Sequence, residues 1–108
     1  MEWISLTNEL QVDEIKTLSD KKPQVIFKHS TRCSTSSMAK NRLERSAAPE
    51  GVDFYYLDLI AYRNISQKIA DDFHVFHESP QILLIKNGEC IFDESHMGIS
   101  MDEITQQL

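Results

Sequence analysis

Glycine, proline and cysteine are all scarce in this chain, with three, three and two copies among 108 residues. Two cysteines make at most one bridge, which excludes a disulfide scaffold. The sequence has no internal repeat, no Gly/Ser linker and no long charge block, so nothing marks a domain boundary. Positive charge is in deficit, 11 Lys and Arg against 17 Asp and Glu, and the net −6 leaves no electrostatic footprint for nucleic acid or an anionic membrane. No apolar run approaches the ~18–20 residues that span a bilayer. The segment Met1 to Leu6 lacks the basic start and apolar stretch of a signal peptide. What is present is ordinary: 41% apolar and 26% charged residues argue against disorder. At roughly 100–150 residues per domain, residues 1–108 form one domain with its own core. The expectation is a cytoplasmic domain in which cysteine chemistry is either catalytic or absent.

Apolar runs and helical periodicities alternate along the chain. Trp3-Ile4-Ser5-Leu6 reads as a short edge strand, and Asn8-x-x-Gln11 has the spacing of a capping box opening a helix with Val12, Ile15 and Leu18 on one side. Gln24 to His29 reads as a buried central strand, followed by a helix from Ser34 to Ala48 whose apolar face is Met38, Ala39, Leu43 and Ala47. Val52 to Leu59 is a second strand, and Tyr62, Ile65, Ile69 and Phe73 form the core-facing stripe of the next helix. Asn87-Gly88, between the apolar runs Ile82–Ile85 and Cys90–Phe92, predicts a hairpin, because both central residues of a type I′ turn need positive φ. Ser100-x-x-Glu103 opens a last helix. The order β-α-β-α-β-α-β-β-α implies an α/β fold with a central mixed β-sheet flanked by helices on both faces.

Cys33 falls just after the first central strand, where the next helix begins. Unpaired amides and the positive end of the helix dipole favour an anion there. Helix N-termini lower cysteine pKa values from ~8.5 to between ~3.5 and ~7.5, so a nucleophilic thiol is the expectation. Arg32, and His29 at the strand end, are candidates to add positive potential; His29 can equally be a buried histidine satisfied by backbone groups. The polar neighbours Ser30, Thr31, Ser34 and Thr35 argue against the alternative of a small core hydrophobe.

The run Phe27-Lys28-His29-Ser30-Thr31-Arg32-Cys33, its continuation Ser34-Thr35-Ser36-Ser37-Met38-Ala39, and Glu78-Ser79-Pro80-Gln81 resemble the YtxJ-like monothiol bacilliredoxins of the bacterial bacillithiol system, which have a thioredoxin-like fold. The resemblance implies Cys33 as the attacking thiol, and Ser36 where dithiol thioredoxins carry a second cysteine. A hydroxyl can hydrogen-bond a thiolate but cannot form a disulfide, so resolution requires an external thiol. It further implies Pro80 as the cis-proline of the site, Ser79 as a source of backbone hydrogen bonds to substrate, and Arg32 as a contact for an anionic thiol. Bacillithiol would be a redox co-substrate, with no bound cofactor, and the partners would be S-thiolated client proteins and the bacillithiol reductase system. Trp-Cys-Gly-Pro-Cys and Cys-Gly-Phe-Ser are both missing, which sets the chain apart from ordinary thioredoxins and from iron–sulfur-binding monothiol glutaredoxins.

Cys90 follows the predicted turn directly, with Ile85 facing it, and is expected on one face with Leu83, Ile85 and Phe92. Its sharper role, as a second redox thiol closing a Cys33–Cys90 sensor disulfide, needs Cα atoms within ~7 Å. His74 and His77 have no carboxylate or cysteine at metal-ligand spacing, so no metal site is expected. A thioredoxin-fold binding or stress-response module that no longer catalyses exchange is the remaining alternative.

Overall fold

The computed structural model describes residues 1–108. Its elements are β1 (Ile4–Ser5), α1 (Leu10–Leu18), β2 (Gln24–His29), α2 (Ser34–Arg45), β3 (Asp53–Asp58), α3 (Arg63–Phe73), β4 (Gln81–Lys86), β5 (Glu89–Ser95), a single 3-10 turn (His96–Gly98) and α4 (Met101–Gln106). The five strands form one sheet in the order β1-β3-β2-β4-β5. β1 and β2 run parallel to β3, whereas β4 runs antiparallel to β2 and β5 antiparallel to β4. No helix is long and apolar enough to cross a membrane.

Local chemistry sets several boundaries. The Asn8–Gln11 box is closed in both directions: the Gln11 amide donates to Asn8 Oδ1 and the Asn8 amide to Gln11 Oε1, each at 3.1 Å. Ser100 Oγ accepts from the Glu103 amide at 3.2 Å, starting α4. Asn87 and Gly88 both have positive φ, 52° and 77°, as the tight hairpin turn demands. α2 stops at Arg45, because Ser46 is extended; Ala47 is therefore exposed, and so is Met38.

Two cores cover the two faces of the sheet. On one, Val12 and Ile15 of α1 and Ile65, Ile69 and Phe73 of α3 pack on Ile26, Leu57, Leu83 and Ile85. On the other, Ala39 and Leu43 of α2 and Met101 and Ile104 of α4 pack on Val25, Phe27, Phe54, Ile82 and Leu84. Leu18, expected on the α1 core face, is exposed.

The hairpin departs from its expected pattern at one residue. Ile85 pairs with Cys90 as expected, but Leu84 pairs with Phe92, so Ile91 is an extra residue on β5. Such a bulge puts two residues opposite one and reverses the side-chain alternation beyond it. Phe92 is thereby moved to the α2/α4 face with Leu84, while Cys90 stays on the α1/α3 face with Leu83 and Ile85. Cys90 and Phe92 do not share a face.

Candidate functional site

The C-terminal ends of the parallel strands β2 and β3 and the start of the antiparallel β4 lie at one end of the sheet. Cys33 is the N-cap of α2, with extended backbone (φ −110°, ψ 121°). Its amide donates to the Ser30 carbonyl at 3.2 Å and its carbonyl accepts from the Ser37 amide at 3.1 Å, so the turn is fixed while the thiol stays free and partly exposed. The first amides of a helix have no intrahelical acceptor. Where Ser or Asp would cap them with a side-chain oxygen, this chain has sulfur. No acidic residue occupies the first turn of α2, so nothing else neutralises its positive end.

Ser36 is fully buried, and its hydroxyl is committed elsewhere. The Ser30 amide donates to Ser36 Oγ at 3.0 Å, and His29 Nδ1 lies 2.7 Å from the same oxygen. Ser36 Oγ makes no hydrogen bond with the Cys33 sulfur. His29 is buried too, its ring lying between Phe27 and Tyr56 at 5.7 and 5.5 Å. Burial, with help from the Lys40 ammonium, holds its pKa below the ordinary 6.5. The imidazole is therefore neutral at pH 7 and adds no cation beside the thiol; it is satisfied by a side-chain hydroxyl, not by backbone. Arg32 is exposed and makes no ion pair.

The second edge of this end comes from the loop entering β4. The Ser79–Pro80 bond is cis. Lys28 pairs with Gln81, which sets Pro80 across from His29, at the end of β2 that leads into the Cys33 turn. The Ser79 hydroxyl is buried without a hydrogen-bond partner, and its amide and carbonyl make no backbone hydrogen bond. Ser79 thus has unspent polar groups at the sheet end that carries the thiol.

Cys90 lies at the other end of the sheet. It pairs with Ile85, and Ile85 pairs with Gln24, the first residue of β2. Five strand steps at about 3.3 Å put it roughly 16 Å short of the His29 end, where bridging tolerates ~7 Å. Burial, reinforced by Asp93, pushes its thiol up to about 11. A Cys33–Cys90 disulfide has no geometry in this fold.

Lys28, which the sequence offers only as a strand residue, is fully buried. Its Nζ lies 3.3 Å from the Ser66 carbonyl and 3.4 Å from His77 Nδ1, with no carboxylate partner. No group of three or more His, Cys, Asp or Glu side chains is arranged to hold a metal ion.

The model of the monothiol bacilliredoxin family, BrxC, matches residues 4–104. The chain belongs to that family. Among solved structures, this bacilliredoxin-family chain superposes with a TM-score of 0.82 and 29% identity on a protein described as an oxidoreductase with a thioredoxin fold, covering 95% of this chain and 90% of the other. A thioredoxin from Malassezia sympodialis gives 0.73 at 18% identity over 98% and 87%. Mitochondrial thioredoxin 3 of Saccharomyces cerevisiae gives 0.66 at 22% over 97% and 92%. The fold is the thioredoxin fold, and the protein is a thiol–disulfide oxidoreductase.

Proposed function

We propose that the protein is a cytoplasmic enzyme that removes bacillithiol from S-bacillithiolated client proteins. The Cys33 thiolate attacks the bacillithiol sulfur of the mixed disulfide. The bond between bacillithiol and the client breaks, the client leaves as a thiolate, and a Cys33–bacillithiol disulfide forms. A second thiol, free bacillithiol or a thiol of its reductase system, attacks that disulfide and releases Cys33; no net electrons come from this chain. Ser79 receives the substrate with its unpartnered backbone groups, Pro80 sets their position, and Arg32 is available to an anionic thiol. Ser36 supports the Cys33 turn through Ser30 and His29.

The observation that carries this reading is the pairing of one free, partly exposed thiol at a helix N-cap with no second thiol within bridging reach. Such a site can take a thiol adduct and must wait for an external one. The identity of the adduct rests on the family. Incubation with a bacillithiolated protein, followed by intact mass, tests it: Cys33 should gain one bacillithiol as the client loses one. Cys33→Ser should abolish transfer and Cys90→Ser should leave it intact. Retained transfer by the Cys33→Ser protein overturns the proposal, and normal transfer from glutathionylated but not bacillithiolated clients overturns the choice of thiol.

A further inference from the structure

The segment between α3 and Pro80 has no regular structure, yet buried polar side chains from three elements hold it. From β2, Lys28 Nζ reaches His77 Nδ1 at 3.4 Å; from α3, Ser66 Oγ reaches the same nitrogen at 3.1 Å. From β4, the Gln81 side chain donates to the Phe76 carbonyl at 3.1 Å and accepts from the Glu78 amide at 3.4 Å. Lys28, Ser66 and Gln81 are at most 5% exposed. An ammonium can only donate, so His77 Nδ1 is an acceptor and the ring proton sits on Nε2. The loop's backbone is held inward while the Phe76 ring stands out in solvent, 92% exposed.

Burying a lysine without a carboxylate is costly, and an apolar side chain of the same length would fill the space more cheaply. What methionine could not do is reach across the core and donate to the loop that leads into Ser79 and Pro80. We propose that Lys28, with His77 as its acceptor, is a positioning residue that fixes the Ser79–Pro80 edge and so sets how well a mixed-disulfide substrate is seated. The proposal rests on the reading that Cys33 and this edge form the exchange site. Lys28 acts on substrate seating and not on the thiol.

Four variants test it: Lys28→Met, His77→Leu, which removes the acceptor from an exposed position, His77→Gln, which keeps an acceptor oxygen, and Cys33→Ser as the reference for lost chemistry. Amide hydrogen exchange over residues 74–81 is read beside steady-state kinetics on a protein with a single bacillithiolated cysteine. In Lys28→Met and His77→Leu, loop exchange should quicken about tenfold, the effect of one lost hydrogen bond, and KM should rise by a similar factor with kcat little changed. Iodoacetamide should alkylate Cys33 at the wild-type rate, and His77→Gln should restore both loop protection and KM. Unchanged loop exchange in His77→Leu, or His77→Gln behaving like His77→Leu, overturns the proposal. So does slowed alkylation of Cys33, which would place the effect on the thiol. If Lys28→Met fails to fold, the His77 pair decides. If wild-type protein shows no transfer at all, the exchange measurement still reports on the clamp.

Discussion

Replacing Lys28 by methionine should change not only the stability of the protein but the way its stability depends on pH. Burial lowers the Lys28 pKa from 10.5 to about 8. Each tenfold change in proton affinity is worth about 1.4 kcal/mol, so holding the charged amine in the core costs about 3 kcal/mol. The sign follows from linkage. Below pH 8 both folded and unfolded chains carry the proton, and the full cost is present and constant. Between pH 8 and 10.5 the folded chain releases its proton while the unfolded chain keeps it, so stability rises with pH. Above 10.5 both are neutral and the cost is gone. Methionine is similar in length and carries no charge, so it removes the cost at every pH, but it also loses the hydrogen bonds to Ser66 and His77, worth about 1 kcal/mol each.

Lys28→Met is therefore expected to equal or exceed wild type by about 1 kcal/mol at pH 7, and to fall behind it as pH approaches 10. Urea titrations at several pH values between 7 and 10 measure this, with Trp3 as the reporter. It is the single tryptophan and packs on Phe27 and Phe54, at 5.6 and 6.3 Å between ring centroids. Tyr55 and Tyr56, whose pKa values burial raises above the ordinary 10, are shared by both proteins and cancel in the difference. A wild-type-minus-variant difference that stays flat from pH 7 to 10 would refute the assignment of a charged, desolvated lysine to this site. A large loss of stability at pH 7 would show that its hydrogen bonds outweigh its burial.

Two other substitutions or probes read the site directly. Ser36→Ala removes the acceptor of the Ser30 amide and the partner of His29, and should cost about 1–3 kcal/mol in chemical denaturation while leaving Cys33 able to take a thiol adduct; an unchanged midpoint would show that neither bond stabilises the turn. Cys90, its thiol pushed up to about 11, is about a thousandth thiolate at pH 8, so brief alkylation of native protein should label Cys33 and leave Cys90 unmodified by peptide mass spectrometry. Equal labelling of the two would show that burial does not suppress the Cys90 thiolate.

What was legible in the sequence was local. The Asn8–Gln11 box, the Asn87-Gly88 turn and the Ile65–Ile69–Phe73 stripe each act within a few residues, and each is found where its chemistry puts it. Cys33 at the strand–helix junction was legible for the same reason. The bulge at Ile91 was not, because Glu89 to Phe92 reads as simple alternation and only the pairing of Leu84 with Phe92 exposes the extra residue. Nor was the setting of Lys28, whose partners Ser66 and His77 lie 38 and 49 residues further along the chain. A buried strand in sequence does not say which groups meet the amine of its lysine until the neighbours across the sheet are known. In sequence His77 offers only a candidate metal ligand, because its partner is an amine 49 residues earlier that no spacing rule connects to it. Ser36 follows Cys33 by three residues in sequence, and only the fold shows its hydroxyl committed to His29 and Ser30.

The alternation of β2 connects these observations. Successive strand residues point to opposite faces, so Lys28 and His29, adjacent in sequence, act on different layers. His29 turns to the α2 face and, through Ser36, holds the turn that carries Cys33. Lys28 turns to the α3 face and, through His77, holds the loop that leads into Pro80. The two edges of the proposed exchange site are thus supported from one dipeptide by separate hydrogen-bond groups. Reactivity of the sulfur and seating of the substrate should then be separable: changes around His29 and Ser36 should move the alkylation rate of Cys33, and changes around Lys28 and His77 should move KM. Shifting β2 by one residue would exchange the two faces and lose both supports together, which gives the Lys-His order a physical basis that neither residue has alone.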